Sequence, residues 1–194
     1  MSEPGSPDSV GGPDVSGGPS RPDAGSWVIE LGDVRDPACE ELLRDYYVEV
    51  SDRYHRLHEG RDSTPEEIET GFPRMRSDDL TPPTGELLVA RSTEDPTVLA
   101  GCVGLRRLRD DSGTRVAEVR RLYVRPELRG AGLGTSLLLC AEEVARVWGV
   151  TAIRLDTRLD LVEARSLYLR NGWVEVPAFS HNFYAEAWYA KQLD

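Results

Sequence analysis

Three glycines in five residues, Gly130, Gly132 and Gly134, stand between a strand-like stretch, Arg115 to Val124, and an apolar helical stretch beginning at about Leu133. Such a turn exposes backbone N–H groups without intrahelical partners at the positive end of a helix dipole, and glycine lets the chain approach an anion with no Cβ in the way. The chain must therefore fold with strand, anion-holding turn and helix in succession, which is the arrangement that holds a pyrophosphate. Arg129, directly before the first glycine, adds a positive charge. A dinucleotide fingerprint would need a third glycine at position 135, where Thr135 stands, and a buried apolar strand in place of one carrying Glu118, Arg120 and Arg121. Asp156 would suit a ribose hydroxyl in that reading, but the turn itself does not match. A triphosphate-binding loop needs Gly-Lys-Ser/Thr, and Gly134-Thr135 has no lysine.

The elements around the turn follow from periodicity and punctuation. Trp27 to Leu31 reads as a strand, and Asp36-Pro37 offers a helix cap followed by the residue best tolerated in a first turn. Cys39, Leu42, Leu43, Tyr46, Val50, Tyr54 and Leu57 then recur at three- and four-residue steps as far as Glu59-Gly60, which predicts one amphipathic helix. Residues 61 to 84 carry Pro65, Pro73, Pro82 and Pro83, with a short helix possible over Glu66 to Thr70; long excursions of this kind often line a site. Strands are predicted over Glu86 to Arg91, Val98 to Leu108 and Arg115 to Val124, with connections short enough for an antiparallel meander. The helix from Leu133 presents Leu137, Ala141, Val144, Ala145 and Trp148 and stops at Gly149. A strand over Thr151 to Thr157, a helix over Val162 to Asn171 ending at Gly172, and strands over Trp173 to Val176 and Tyr184 to Leu193 complete a mixed α/β or α+β order.

Composition narrows the partners. The 194 residues are 39% hydrophobic, enough for one real core but not for two full domains. Residues 1 to 26 hold 6 Gly, 5 Pro and 6 Ser with almost no apolar bulk, so a disordered tail is expected there and a single domain over 27 to 194. The formal net charge of -11 is the wrong sign for gripping phosphate backbones, which argues against nucleic acid as a partner. No apolar run is long enough to span a bilayer, and no signal-peptide pattern opens the sequence, so neither membrane nor export is expected. Cys39, Cys102 and Cys140 are widely spaced inside apolar stretches, as in a reducing compartment, the cytoplasm. Neither they nor His55, His58 and His181 give a metal-ligand spacing, and no metal is expected.

The turn and its flanks resemble the GNAT superfamily of acyl-CoA-dependent N-acetyltransferases. The signature Gln/Arg-x-x-Gly-x-Gly/Ala is met by Arg129, Gly132 and Gly134, and the likeness extends through Arg121 to Pro126, Arg154 to Thr157, and Ala164 to Trp173. It also takes in the C-terminal run from Phe183 to Leu193. The resemblance implies a central mixed, mostly antiparallel sheet of six to seven strands flanked by about four helices, with two strands splayed around acetyl-CoA. It implies further that the main chain of Leu122, Tyr123 and Val124 pairs with pantetheine, and that Arg129, Gly130, Ala131, Gly132, Leu133, Gly134 and Thr135 hold the pyrophosphate. One departure stands out: many members carry asparagine three residues before the alanine of the Ala-x-x-Leu-Tyr run, and here Leu161 occupies it.

The implied reaction is acetyl transfer to a primary amine, of a small molecule or a peptide, by direct attack in a ternary complex, with a homodimer as a family habit. An alkyl ammonium of pKa about 10.4 is only about one part in a thousand neutral near pH 7, so a base helps. Glu118 matches the place of a catalytic glutamate in several members, and Tyr168 matches the tyrosine that protonates or hydrogen-bonds the departing thiolate. Trp173, Trp188, Tyr184 and Tyr189 are candidates for the acceptor pocket or for the core; Glu66, Glu67, Asp78 and Asp79 are further candidates for the base. A non-catalytic acyl-CoA-binding or sensor module is the competing reading; it would keep the turn and not need Glu118 or Tyr168.

Overall fold

The computed structural model describes residues 26–75, 77–109, 113 and 115–193. The tail expected over 1–26 thus lies outside the described residues except for Ser26, whose carbonyl accepts from the Thr93 N–H at 2.9 Å and joins the sheet edge. The chain forms β1 (Trp27–Gly32), α1 (Pro37–Glu59), α2 (Pro65–Gly71), β2 (Gly85–Ser92), β3 (Leu99–Arg109), β4 (Arg115–Val124), α3 (Leu133–Val147), β5 (Ala152–Thr157), α4 (Val162–Arg170), β6 (Val174–Glu175) and β7 (Ala187–Gln192). Single 3-10 turns at Phe72–Met75 and Pro126–Leu128 supplement the expected order. The strands make one sheet in the order β1-β2-β3-β4-β5-β7-β6, antiparallel except for the β4–β5 pair.

Local chemistry sets the helix ends. Asp36 caps α1 by accepting from the Ala38 N–H at 2.8 Å, Pro37 follows, and Gly60 closes the helix in the left-handed region at φ 70°. Thr64 and Glu67 satisfy each other's backbone N–H groups in a capping box at the start of α2. Across the sheet, alternation sorts side chains between two apolar layers. Leu88 and Ala90 pack with Leu137, Leu138 and Ala141 of α3, while Leu87 and Val89 pack with Cys39, Leu42 and Leu43 of α1.

One irregularity in β4 matters for everything that follows. Its pairing with β3 slips between Cys102 and Gly104, which face Tyr123 and Arg120, so β4 carries one extra residue; Arg121 there has φ 55°. A bulge reverses the alternation downstream of it. Ala117 and Val119 lie in the α3 layer, but Tyr123, which unbroken alternation would put with them, packs in the α1 layer edge-on to Tyr46. Leu122 and Val124 correspondingly turn to the α3 side.

Candidate active site

The parallel β4–β5 ladder is two residues long, Ala117 opposite Ile153 and Glu118 opposite Arg154. Past Glu118 the bulged end of β4 and the end of β5 have no register with each other, which leaves unpaired backbone along a strand edge inside the sheet. A cavity of about 450 Å³ opens in this splay. Every residue expected to hold the cofactor lines it except Ala131: Leu122, Tyr123 and Val124 from β4, then Arg129, Gly130, Gly132, Leu133, Gly134 and Thr135 from the turn and the start of α3. Gly130 and Gly132 adopt φ 84° and 87°, as only glycine does readily, and Gly132 caps α3 with no side-chain hydrogen bond to its first turn. A Cβ on Gly132 would meet no protein atom within 4 Å, so the space before these N–H groups is open. The turn, the strand edge and the open space suit an extended ligand that ends in a pyrophosphate.

Tyr168 of α4 lines the same cavity. Its ring lies 5.9 Å from that of Trp173 and 5.7 Å from that of Tyr189, and burial, followed by Tyr46, Tyr189 and Asp156, pushes its phenol well above the ordinary value of 10. Leu161, in place of the family's asparagine, also faces the cavity and starts α4 without a side-chain cap. Arg129 is already engaged: its Nε donates to the Val124 carbonyl at 2.8 Å and its Nη2 pairs with Glu49 of α1.

Glu118 is not among the cavity residues, although Val119 and Arg120 are. It is buried on the α1 side of β4, where its Oε1 accepts from Arg106 Nη2 at 2.8 Å and lies 4.0 Å from Arg120 Nε. Asp79, from the excursion before β2, takes both Arg106 at 3.1 Å and Arg120 at 2.7 Å. The excursion thus approaches the site through this ion cluster rather than as cavity wall, a long-range arrangement no local pattern announces. Glu67 is bound to Arg61 at 2.8 Å, away from the cavity.

The four aromatics divide: Trp173 and Tyr189 are core, Trp188 is half-buried, and Tyr184 is exposed with its ring 5.4 Å from Tyr54. His55 is half-buried, with Nδ1 2.9 Å from Glu59. His55, Glu59 and Glu67 come together as potential metal ligands, and both carboxylates pair with Arg61. Missed by sequence reasoning is Asp156 as a wall of this cavity; its Oδ2 accepts from Ser180 at 2.7 Å and its Oδ1 from Asn182 at 3.0 Å. Its place at the end of β5, two residues past the last ladder pair, was the available signal.

Among known proteins, the family model described as the Acetyltransferase (GNAT) family matches residues 38–173. An uncharacterized N-acetyltransferase of Schizosaccharomyces pombe is 38% identical over 101 residues, 52% of this chain and 59% of that protein. Aminoalkylphosphonate N-acetyltransferase of Salmonella typhimurium is 38% identical over 58 residues, 30% of this chain and 38% of that one. The matches span less than two thirds of either relative's length. The PaiA N-acetyltransferase of Thermoplasma acidophilum, solved in complex with coenzyme A, superposes with a TM-score of 0.59 at 20% identity, over 85% of this chain and 99% of that chain. A GNAT-family acetyltransferase of Staphylococcus aureus gives 0.61 at 17%, over 86% and 100%. At these identities the two structures speak for the fold. No helix among the described residues is long and apolar enough to cross a membrane.

Proposed function

The chain belongs to the Acetyltransferase (GNAT) family, and from that membership we propose that it transfers an acetyl group from acetyl-CoA to a primary amine by direct attack in a ternary complex. The observation that carries this reading is a single cavity shared by the unpaired edge of β4, the uncapped start of α3 and the Tyr168 ring. The main chain of Leu122, Tyr123 and Val124 offers amide partners to pantetheine, and the N–H groups of residues 129 to 135 take the pyrophosphate. The Salmonella relative is named for an amine acceptor, which supports the same class here. Three free cysteines support a reducing compartment, the cytoplasm, and a homodimer belongs to the same reading, to be checked by sedimentation.

Acetyl-CoA supplies the activated acyl carbon when bound; the rest falls to side chains of this protein. A phenol held above its ordinary value of 10 is protonated at any working pH, but it does not hand its proton outright to a thiolate whose acid has a pKa of about 8.5. Tyr168 therefore acts as a hydrogen-bond donor to the departing sulfur. Glu118, held by Arg106 and set back from the wall, takes the amine proton through water.

Acetyl-CoA binding by calorimetry, combined with thiol release over a panel of primary amines, tests the reading. Binding and turnover are expected. Absence of acetyl-CoA binding would overturn it; binding without turnover on any amine would favour the non-catalytic module. Glu118→Gln should lower kcat/KM by roughly 10²-fold near neutral pH and recover towards the amine pKa. Wild-type turnover from pH 6 to 9 would reduce Glu118 to a structural glutamate.

A further inference from the structure

Both faces of the sheet contribute to the cavity wall. Leu122, Val124 and Tyr168 pack in the layer of α3, on the side of the glycine turn, whereas Tyr46, Val50 and Arg53 come from α1. A donor held by the turn therefore fills the α3 side and leaves the α1 side to an acceptor. Alternation along β5 sends Ile153 and Leu155 into the α3 layer, so Asp156, on the wall of the same cavity, faces the α1 side. After burial, Tyr46 and Tyr189, the Asp156 carboxylate is among the groups that hold the Tyr168 phenol above its ordinary value, so the two act on one volume.

Of the three carboxylates on this wall, Glu49 pairs with Arg53 and Arg129, and Glu163 pairs with Arg53, while Asp156 makes no ion pair among the described residues. Arg120 on the wall is held by Asp79 at 2.7 Å, and Arg154, two residues before Asp156, has its guanidinium 4.4 Å over the Phe179 ring. The partners of Asp156 are neutral donors. Trp188, opposite it in the β5–β7 ladder, donates to the Ser180 hydroxyl at 2.9 Å; Ser180 donates to Oδ2 at 2.7 Å, and Asn182 donates to Oδ1 at 3.0 Å. A carboxylate accepts about four hydrogen bonds, so each oxygen, fixed in orientation by one donor, keeps capacity for a ligand.

Resting on the acetyl-transfer reading above, we propose that Asp156 receives the acceptor's ammonium group from the α1 side and steadies the positive charge on that nitrogen as it attacks the thioester. The ammonium gives up one proton before attack, to Glu118 through water in that reading. The nitrogen lone pair then forms the C–N bond while the carbonyl pair moves onto oxygen, and the nitrogen is positive again until a second proton leaves to water. The carbonyl pair returns as the C–S bond breaks and its electrons depart with the sulfur. Asp156 exchanges no proton in these steps. It accepts a hydrogen bond from an N–H throughout, and that bond is strongest while the nitrogen is charged, which favours the transition state over the neutral amine. The same contact selects amines that are cations in solution over neutral molecules of the same shape.

Three amines that are cations at neutral pH, n-butylamine, benzylamine and glycinamide, test this on the full chain. Thiol release reads turnover, and calorimetry on the chain saturated with coenzyme A reads amine affinity, with benzyl alcohol as the uncharged counterpart of benzylamine. Benzylamine should bind at least about ten-fold more tightly than benzyl alcohol, and Asp156→Asn should bring that ratio near one. Asp156→Asn should lower kcat/KM at least about 30-fold for every amine turned over, with KM for acetyl-CoA within about two-fold of wild type. Ser180→Ala, which frees one oxygen of Asp156, should cost about 3- to 5-fold in the same measure. Raising the salt should raise the amine KM of the wild-type chain and leave that of Asp156→Asn level, a response that loss of a merely structural contact would not change. Amine turnover within three-fold of wild type in Asp156→Asn overturns the role of Asp156 and leaves acetyl transfer standing, as does an equal loss of acetyl-CoA and amine binding. Amine binding that depends on Asp156 in a chain that releases no thiol does the reverse. Neither binding nor turnover of any of the three amines overturns both.

Discussion

Arg129 stands at the turn proposed to take the pyrophosphate, yet its charge is shared with Glu49 of α1. The Glu49 carboxylate both occupies that guanidinium and repels an incoming phosphate. Exposed pairs of this kind are worth under about 1 kcal/mol, so Glu49→Gln should tighten acetyl-CoA binding by about 2- to 5-fold at low ionic strength. Calorimetry at two salt concentrations checks it; unchanged or weaker binding would mean that Glu49 positions Arg129 rather than competing for it. Cys102 plays a different part: its thiol donates to the Arg121 carbonyl at 3.3 Å, satisfying the residue that forms the bulge. Burial pushes this thiol from about 9 to about 12, and burial likewise pushes the Tyr123 phenol from 10 to about 12. Both groups keep their protons in the folded chain and lose them earlier when unfolded. Their contribution is therefore complete below pH 9 and falls away as pH rises from about 9 to about 12. Urea titrations at stepped pH should show stability declining over that window, with the start of the decline flattened in Cys102→Ala; a level profile to pH 11 would sink the assignment.

At the scale of elements, the turn before α3 does two jobs that separate by position. Gly132 sits at φ 87°, so valine there meets the left-handed penalty of about 1–2 kcal/mol and puts a branched Cβ into the open space in front of the N–H groups. Gly132→Val should lower Tm modestly and abolish the acetyl-CoA shift, which at a hundredfold excess over Kd corresponds to about 2.7 kcal/mol. Gly134 needs no such freedom: an added Cβ would touch Leu167 at 3.4 Å, and Gly134→Ala should fold. A ligand-induced shift that persists in Gly132→Val would remove the turn from the binding site. These elements are legible in the chain because their causes are local: Asp36-Pro37 starts α1, Gly60 stops it, and Gly149 follows α3. The β4 bulge at Arg121 is not legible, since it depends on how two strands count against each other. The ion cluster is hidden for the same reason, with Asp79 reaching Arg106 across 27 residues and Arg120 across 41. The pairing of Glu118 with Arg106 on the neighbouring strand is hidden in the same way.

The molecule as a whole is drawn together on its α3 face by one buried carboxylate. Glu142 accepts from the Trp173 indole at 3.0 Å and from Lys191 at 2.7 Å, and Lys191 also donates to the Asn171 carbonyl at 2.9 Å, so α3, the end of α4 and β7 meet at a single point. Helix periodicity gives no hint of it, because Glu142 lies on the apolar side of α3 only 1% exposed. Removing Lys191 leaves the buried Glu142 with the Trp173 indole and with Arg146 at 4.0 Å: Lys191→Met should cost up to about 3 kcal/mol in urea unfolding, and the double variant Glu142→Gln/Lys191→Met should recover at least half. Equal losses in the single and double variants would show that the pair contributes nothing jointly. Lys191 is also the only lysine of the chain. A chain proposed to acetylate amines thus presents a single ε-amine of its own, held by Glu142 and by the Asn171 carbonyl where β7 meets α3. Composition and these two contacts restrain acylation of the chain by itself, and any acyl group that does accumulate on Lys191 measures how often that seam opens.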